Sequence, residues 1–158
     1  MLTQQRLKEL LLFHPDTGKF TRLTRTTRNT IGDEPGGLDA EGYHRIRVDG
    51  TQYLTHRLVW LYVYNQDVRG IDHINGIKHD NRVENLRRAS DEQNAQNRRK
   101  PQKNNSTRKL GVSRFKGKFR ARIQSKGKVQ YLGVFATSDE AHEAYLSAKR
   151  QAHQFCTI

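Results

Sequence analysis

The apolar positions of this chain change period along its length, and the changes mark its elements. In TQQRLKELLLF, Leu7, Leu10 and Leu11 recur at helical spacing, which predicts an amphipathic helix from Thr3 to Phe13. Asp16-Thr17-Gly18 is a turn, and GKFTRL after it suits a short strand. The stretch from Arg25 to Gly42, rich in Thr, Gly and Asp, reads as loop. YHRIRVDGTQYLTHR then alternates about Asp49-Gly50, the pattern of a β-hairpin. HRLVWLYVYN follows as an apolar helix with Leu58, Leu61 and Tyr62 toward a core, and Trp60, the only tryptophan, belongs to that core.

Further on, Ile71 to Ile74 suits a strand, Asn75-Gly76 a hairpin turn, and the chain is expected to return through Ile77. Ser90, with Gln93 three residues later, predicts a capped helix running to about Arg99, where Pro101 stops it. QKNNSTRK is polar linker. LGVSRF, GKFRARIQ and KVQYLGVF then read as three strands. In the second, Phe119, Ala121 and Ile123 point one way and Lys118, Arg120, Arg122 and Gln124 the other. Thr137 and Glu140 form a capping box for a last helix, whose Ala141, Ala144, Tyr145, Ala148 and Ala152 would lie against the sheet. The expected class is α+β.

Composition narrows the partner. The 158 residues carry 29 Lys and Arg against 16 Asp and Glu, a formal net charge of +13. Thirteen of the basic residues, and no acidic one, fall between Arg98 and Gln130, so one segment holds the whole excess. A polyanion is the expected partner, nucleic acid before an anionic membrane. No apolar run is long enough to span a bilayer, and MLTQQRLKELLLF lacks the layout of a signal peptide. Cys156 is the only cysteine, which excludes an intramolecular disulfide, and the seven histidines make no zinc-finger spacing.

The segment GIDHINGIKHDNRVENLRRASDEQN, Gly70 to Asn94, has chemistry in its spacing. Asp72 and His73 adjoin on a strand, and neighbours on a strand face opposite ways unless the strand ends or bends there. Asp72 with Asn94 from the following helix would make a sparse, hard-oxygen site, suited to Mg²⁺ held mostly by water and a substrate phosphate. An imidazole beside it can take a proton from an attacking water.

The same segment resembles the ββα-metal motif of HNH endonucleases, in the form found in phage and intron homing enzymes. The matching residues are Asp72-His73, then Asn85 in VENL twelve residues beyond His73, then Asn94 in SDEQN nine beyond Asn85. HRLVW, His56 to Trp60, resembles the helix that commonly precedes the motif. The resemblance implies that His73 is the general base and that Asp72 and Asn94 hold one divalent cation. It makes Asn85 the residue that pins the loop and holds His73. The last position is Asn94 where the name has histidine, which points to Mg²⁺ or Mn²⁺ and away from Zn²⁺ or Ni²⁺. Beside this set, Asn97 reads either as a contact to metal-bound water or phosphate or as surface polarity. His56 reads as a site residue or a hydrogen-bonded structural histidine. Arg87, Arg88, Arg98 and Arg99 read as phosphate contacts or solvated charge.

Leu110 to Phe155 is similar to an AP2 DNA-binding domain, through Gly111-Val112, GKFRARI, Tyr131-Leu132-Gly133, Phe135 and DEAHEAY. That family lays a three-stranded sheet in the DNA major groove with a helix packed behind it. The resemblance makes Arg114, Arg120 and Arg122 candidates for base edges, and Lys116, Lys118, Lys126 and Lys128 candidates for phosphate. Tyr131 stands where a Trp is usual, and Ser113 where plant members often have Arg, so no known base preference transfers.

The expected organisation is a nuclease domain over 1–99 with its ββα-metal core at about 70–99, a basic linker over 100–109, and an AP2-like domain over 110–158. The function it implies is a metal-dependent homing-type endonuclease acting on double-stranded DNA, with no small-molecule substrate and no membrane. Its expected place is the cytoplasm of a bacterial host, phage- or intron-encoded. The alternative is a non-catalytic AP2-type DNA-binding regulator with a relic HNH motif; an RNA-binding or ribosome-associated protein is a third class. One motif per chain means one active site, so monomer and homodimer are both open, as are nick and double-strand break.

Overall fold

The computed structural model describes all residues except 28, 99, 103, 126 and 154–158. Its contacts divide the chain into two compact units, Met1–Asp91 and Glu92–Ile158.

The first unit begins with helix α1, Gln4–Leu10, capped by the Thr3 hydroxyl, which accepts from the Arg6 N–H at 3.2 Å. The helix stops three residues short of the predicted Phe13. From Leu11 the buried positions alternate, Leu11 and Phe13 inward and Leu12 outward, and the chain becomes strand β1, Leu11–His14. It pairs antiparallel with β2, Lys19–Arg22. Phe13 and Phe20, both buried, meet with ring centroids 5.0 Å apart, and that pairing outweighs the helical propensity of a leucine run.

Gly18 closes this hairpin at φ +70, and a Cβ there would lie 2.4 Å from the Arg82 backbone nitrogen. The turn is thus moulded onto the peptide joining Asn81 to Arg82. Inside the predicted loop, β3 (Gly37–Leu38) adds an edge to β4 (His44–Val48), which pairs with β5 (Thr51–Leu54). Asp49 and Gly50 both take positive φ, as their two-residue turn requires. Helix α2, Thr55–Tyr64, buries Leu58, Val59 and Trp60. It ends on Asn65 in the left-handed conformation. Strand β6, Ile71–His73, pairs antiparallel with β7, Leu86–Arg88. Leu7, Leu11, Phe13, Phe20, Ile46, Leu58, Ile71 and Leu86 share one core.

The second unit takes in α3 (Asp91–Gln96, shorter than predicted) from Glu92 onward, and then β8 (Val112–Phe115), β9 (Lys118–Ser125), β10 (Lys128–Phe135) and α4 (Ser138–Ala152). The three strands form one antiparallel sheet in the order β10-β9-β8. Helix α4 starts with the predicted capping box of Thr137 and Glu140. Ala141, fully buried, lies in the small core with Val112 and Ala121, and Phe119, Leu132 and Phe135 pack around it.

Candidate active site

Alternation along strand β6 gives two neighbouring side chains different surroundings. Ile71 and His73 are buried, and Asp72 between them faces the other way. Asp72 lies opposite Arg87 in the ladder. Arg87 donates from Nε and Nη2 to the same Asp72 oxygen, Oδ2, at 3.0 and 2.8 Å. One of the flanking arginines of the sequence is therefore the ion partner of the candidate metal ligand.

The chain does not return at Ile77 as the Asn75-Gly76 turn predicts. The turn forms, with the Gly76 N–H donating to the His73 carbonyl at 2.9 Å, but the returning strand is β7. Side-chain amides explain the difference, because they take the bonds that a ladder would have used. The Ile77 N–H donates to Asn75 Oδ1 at 2.8 Å, and Asn75 Nδ2 donates to Asp80 Oδ2 at 2.7 Å. Asn85, buried at the end of the 3₁₀ turn Val83–Asn85, ties the loop from its other end. Its Oδ1 accepts from the Asn75 N–H at 2.9 Å, and its Nδ2 donates to the Asp80 carbonyl at 2.7 Å. Arg82 forks onto both oxygens of Asp80, which, with the Asn75 amide, holds that carboxyl down at about 2.

His73 itself is bonded to a residue that the sequence reading did not single out. Its Nε2 lies 3.2 Å from Asn81 Oδ1, and Asn81, 3% exposed, also donates from Nδ2 to the His79 carbonyl at 3.1 Å. His79 and Asp80 beside it read as a connecting turn in the sequence, and only closure of the loop gives Asn81 a part.

The His73 ring is part of an aromatic cluster. His56 meets it edge-on, with centroids 5.0 Å apart and planes at 88°, and Tyr43 stands 5.7 Å from His56. Burial pushes the His56 imidazole down to about 3, with repulsion from His73 adding to it. Among the described residues its Nδ1, buried, has no hydrogen-bond partner. Burial also lowers the pKa of His73, against the Asn81 hydrogen bond and the charges of Asp72 and Asp80, which raise it. Both rings are neutral at physiological pH.

Asn94, half-buried in α3, and Asn97, buried just after it, belong to the second unit, as does the exposed Arg98. The surface reading of Asn97 does not hold, since it is 6% exposed.

The sheet of the second unit sorts the DNA-binding candidates by face. Ser113 pairs with Arg120, Phe115 with Lys118, Tyr131 with Arg122 and Val134 with Arg120, so these side chains share the face away from Ala121 and Ile123. The Arg120 guanidinium stacks 5.1 Å from the centre of the Phe115 ring. Arg114 pairs with Phe119 and Lys128 with Ser125, which puts both on the opposite face from Arg120 and Arg122. Lys116 is at the hairpin tip with φ 46, and Lys126 lies outside the described residues.

Set against known proteins, the loop and its strands are similar to one family. Residues 53–96 match the HNH_3 family model, described as HNH endonuclease. The match runs from β5 to the end of α3 and takes in Asp72, His73, Asn81, Asn85 and Asn94. It supports nuclease activity. Neither the curated proteins nor the solved structures gave a match to the chain. No helix among the described residues is long and apolar enough to cross a membrane.

HNH nucleases act on DNA and generally use a divalent metal, and the donors of the HNH segment suit a hard one. Among the described residues no three His, Cys, Asp or Glu side chains converge as a ligand group. Mg²⁺ needs no such cage, because one or two carboxylates with water and substrate phosphate complete its octahedron. Asp72, in the first unit, carries a carboxylate of that kind.

Proposed function

We propose that this chain is a metal-dependent DNA endonuclease of the homing type, with His73 as its general base. The observation that carries the reading is a buried imidazole, kept neutral by burial and hydrogen-bonded through Nε2, one residue from an acidic side chain in an HNH segment.

In this reading, Asp72 and Asn94 hold a divalent cation, Mg²⁺ or Mn²⁺, which when bound offsets charge on the scissile phosphate and its leaving oxygen. His73 accepts a proton from water as the water oxygen bonds to phosphorus. The bond from phosphorus to the 3′ oxygen breaks, that oxygen takes a proton from solvent to leave 3′-hydroxyl and 5′-phosphate ends, and His73 returns its own proton to solvent. Asn85 keeps the loop closed behind the base. The second unit acts as an AP2-type anchor, presenting Lys118, Arg120, Arg122 and Tyr131 to double-stranded DNA from one sheet face.

Supercoiled-plasmid cleavage with Mg²⁺ and with EDTA tests this, using DNA from the native host beside an unrelated plasmid. Wild type should nick or linearise DNA only with metal, and folded His73→Ala should not. If both proteins bind and neither cuts, the chain is a DNA-binding protein without nuclease activity.

A further inference from the structure

The geometry points to Asn81 as a positioning residue: it fixes His73 as the Nε2–H tautomer and so makes Nδ1 the nitrogen that accepts the proton. The inference rests on the nuclease reading for its consequence, though not for the ring state itself.

The argument starts one bond away from the histidine. A side-chain amide has one end that donates and one that accepts, and which end faces which neighbour follows from the neighbours. The His79 carbonyl can only accept, so the Asn81 atom 3.1 Å from it must be the Nδ2 donor. The other end, Oδ1, is then the one turned to His73, at 3.2 Å from Nε2. An amide oxygen cannot donate. The hydrogen of this contact therefore sits on His73 Nε2, and in the neutral ring the basic lone pair is on Nδ1.

Asn81 is well placed to hold that arrangement. It is 3% exposed and His73 is 5% exposed, so water does not compete freely for either group. The backbone on both sides of Asn81 is also held. The Asp80 carbonyl accepts from Asn85 Nδ2 at 2.7 Å, and the Arg82 N–H lies against the Gly18 turn. Asn85 thus closes the loop, and Asn81 passes its geometry on to the ring.

Two kinds of readout test this on the full-length protein. Long-range ¹H–¹⁵N correlation spectra of the histidine rings, recorded without metal, report which nitrogen of His73 is protonated, with His73→Gln identifying its signals. Wild type should show the Nε2–H form. Asn81→Ala should shift toward the Nδ1–H form or a mixture. Its single-turnover cleavage at saturating DNA should fall about 10- to 100-fold, while DNA affinity and melting temperature change little. Asn81→Asp, which keeps an acceptor beside Nε2, should keep the wild-type tautomer. An Nδ1–H ring in wild type overturns the inference. So does an Asn81→Ala variant with the wild-type tautomer, or one with an altered tautomer and the wild-type rate. Should Asn81→Ala fail to fold, loss of the Nε2–H form in folded Asn81→Asp overturns it equally. If wild type cleaves no DNA, the nuclease reading falls and the spectra alone decide the ring assignment.

Discussion

Arg87 stands directly across the β6–β7 ladder from Asp72 and spends two of its donors on a single oxygen of that carboxylate. Both side chains are largely buried, so solvent screens the pair less than it would at the surface. A divalent cation bound by Asp72 must share the carboxylate with a fixed positive charge. Arg87→Gln should therefore lower the Mg²⁺ concentration for half-maximal cleavage, by roughly tenfold for a change of about 1.4 kcal/mol. Cleavage measured over a Mg²⁺ titration checks it; an unchanged requirement would overturn it, and a higher one would show that Arg87 assists metal binding.

The neutral state of His73 predicts the acid side of the pH profile. A base works only when unprotonated, and burial moves the His73 pKa below the ordinary 6.5. Cleavage should stay on its plateau as pH falls through 6.5 and decline only below it. Second-order rates under substrate-limited conditions, compared across buffers at constant ionic strength, report this limb. A midpoint above 6.5 would contradict the burial of the ring.

His56 makes a separate prediction about stability. Its pKa is about 3 in the folded protein against an ordinary 6.5. Between those values the unfolded chain takes up a proton that the folded ring refuses. Its contribution is thus complete above about pH 6.5 and is lost as pH falls from there, by up to about 1.4 kcal/mol per pH unit. The melting temperature of wild type should drop more between about pH 7 and 5 than that of His56→Phe, whose ring can keep the edge-on contact without titrating. Equal slopes would mean that the His56 site is wetter than the structure has it.

Sheet parity separates two arginines that the sequence treats alike. Arg122 shares a face with Lys118, Arg120 and Tyr131, and Arg114 is on the other. If that face meets DNA, Arg122→Ala should weaken binding by about 1–3 kcal/mol and relax base preference at one position. Arg114→Ala should change affinity by less than about 0.5 kcal/mol. Titrations on one duplex at fixed salt compare them, and a larger loss at Arg114 would place the DNA on the helix-facing side.

Much of this protein was legible because the signals were local. The Asp49-Gly50 turn and the Thr137-Glu140 capping box each involve residues a few positions apart, and both formed as predicted. Leu10-Leu11-Leu12 suits a helix and a strand equally, and the partner that decides, Phe20, lies across a turn. Asn75-Gly76 carried a hairpin signal that neighbouring amides overrode. Asn81 is a different case, since its role depends on the whole loop closing to bring it under a ring eight residues back. The place of Arg114 could have been counted: a two-residue turn at Lys116-Gly117 sets it opposite Phe119 without any structure.

The Gly18 turn has a consequence for how far the matched segment can be cut down. The family resemblance begins at residue 53, yet the peptide that carries Asn81 rests on a hairpin well upstream of it, at a point where even a methyl group finds no room. Leu7, Leu11, Phe13 and Phe20 of that upstream region are also the apolar neighbours on which Ile71 and Leu86 depend. A fragment limited to the matched residues would carry Asp72, His73, Asn81, Asn85 and Asn94 and still lack the surface that gives its loop a shape. The smallest piece that keeps the loop in this form therefore has to take in the first helix.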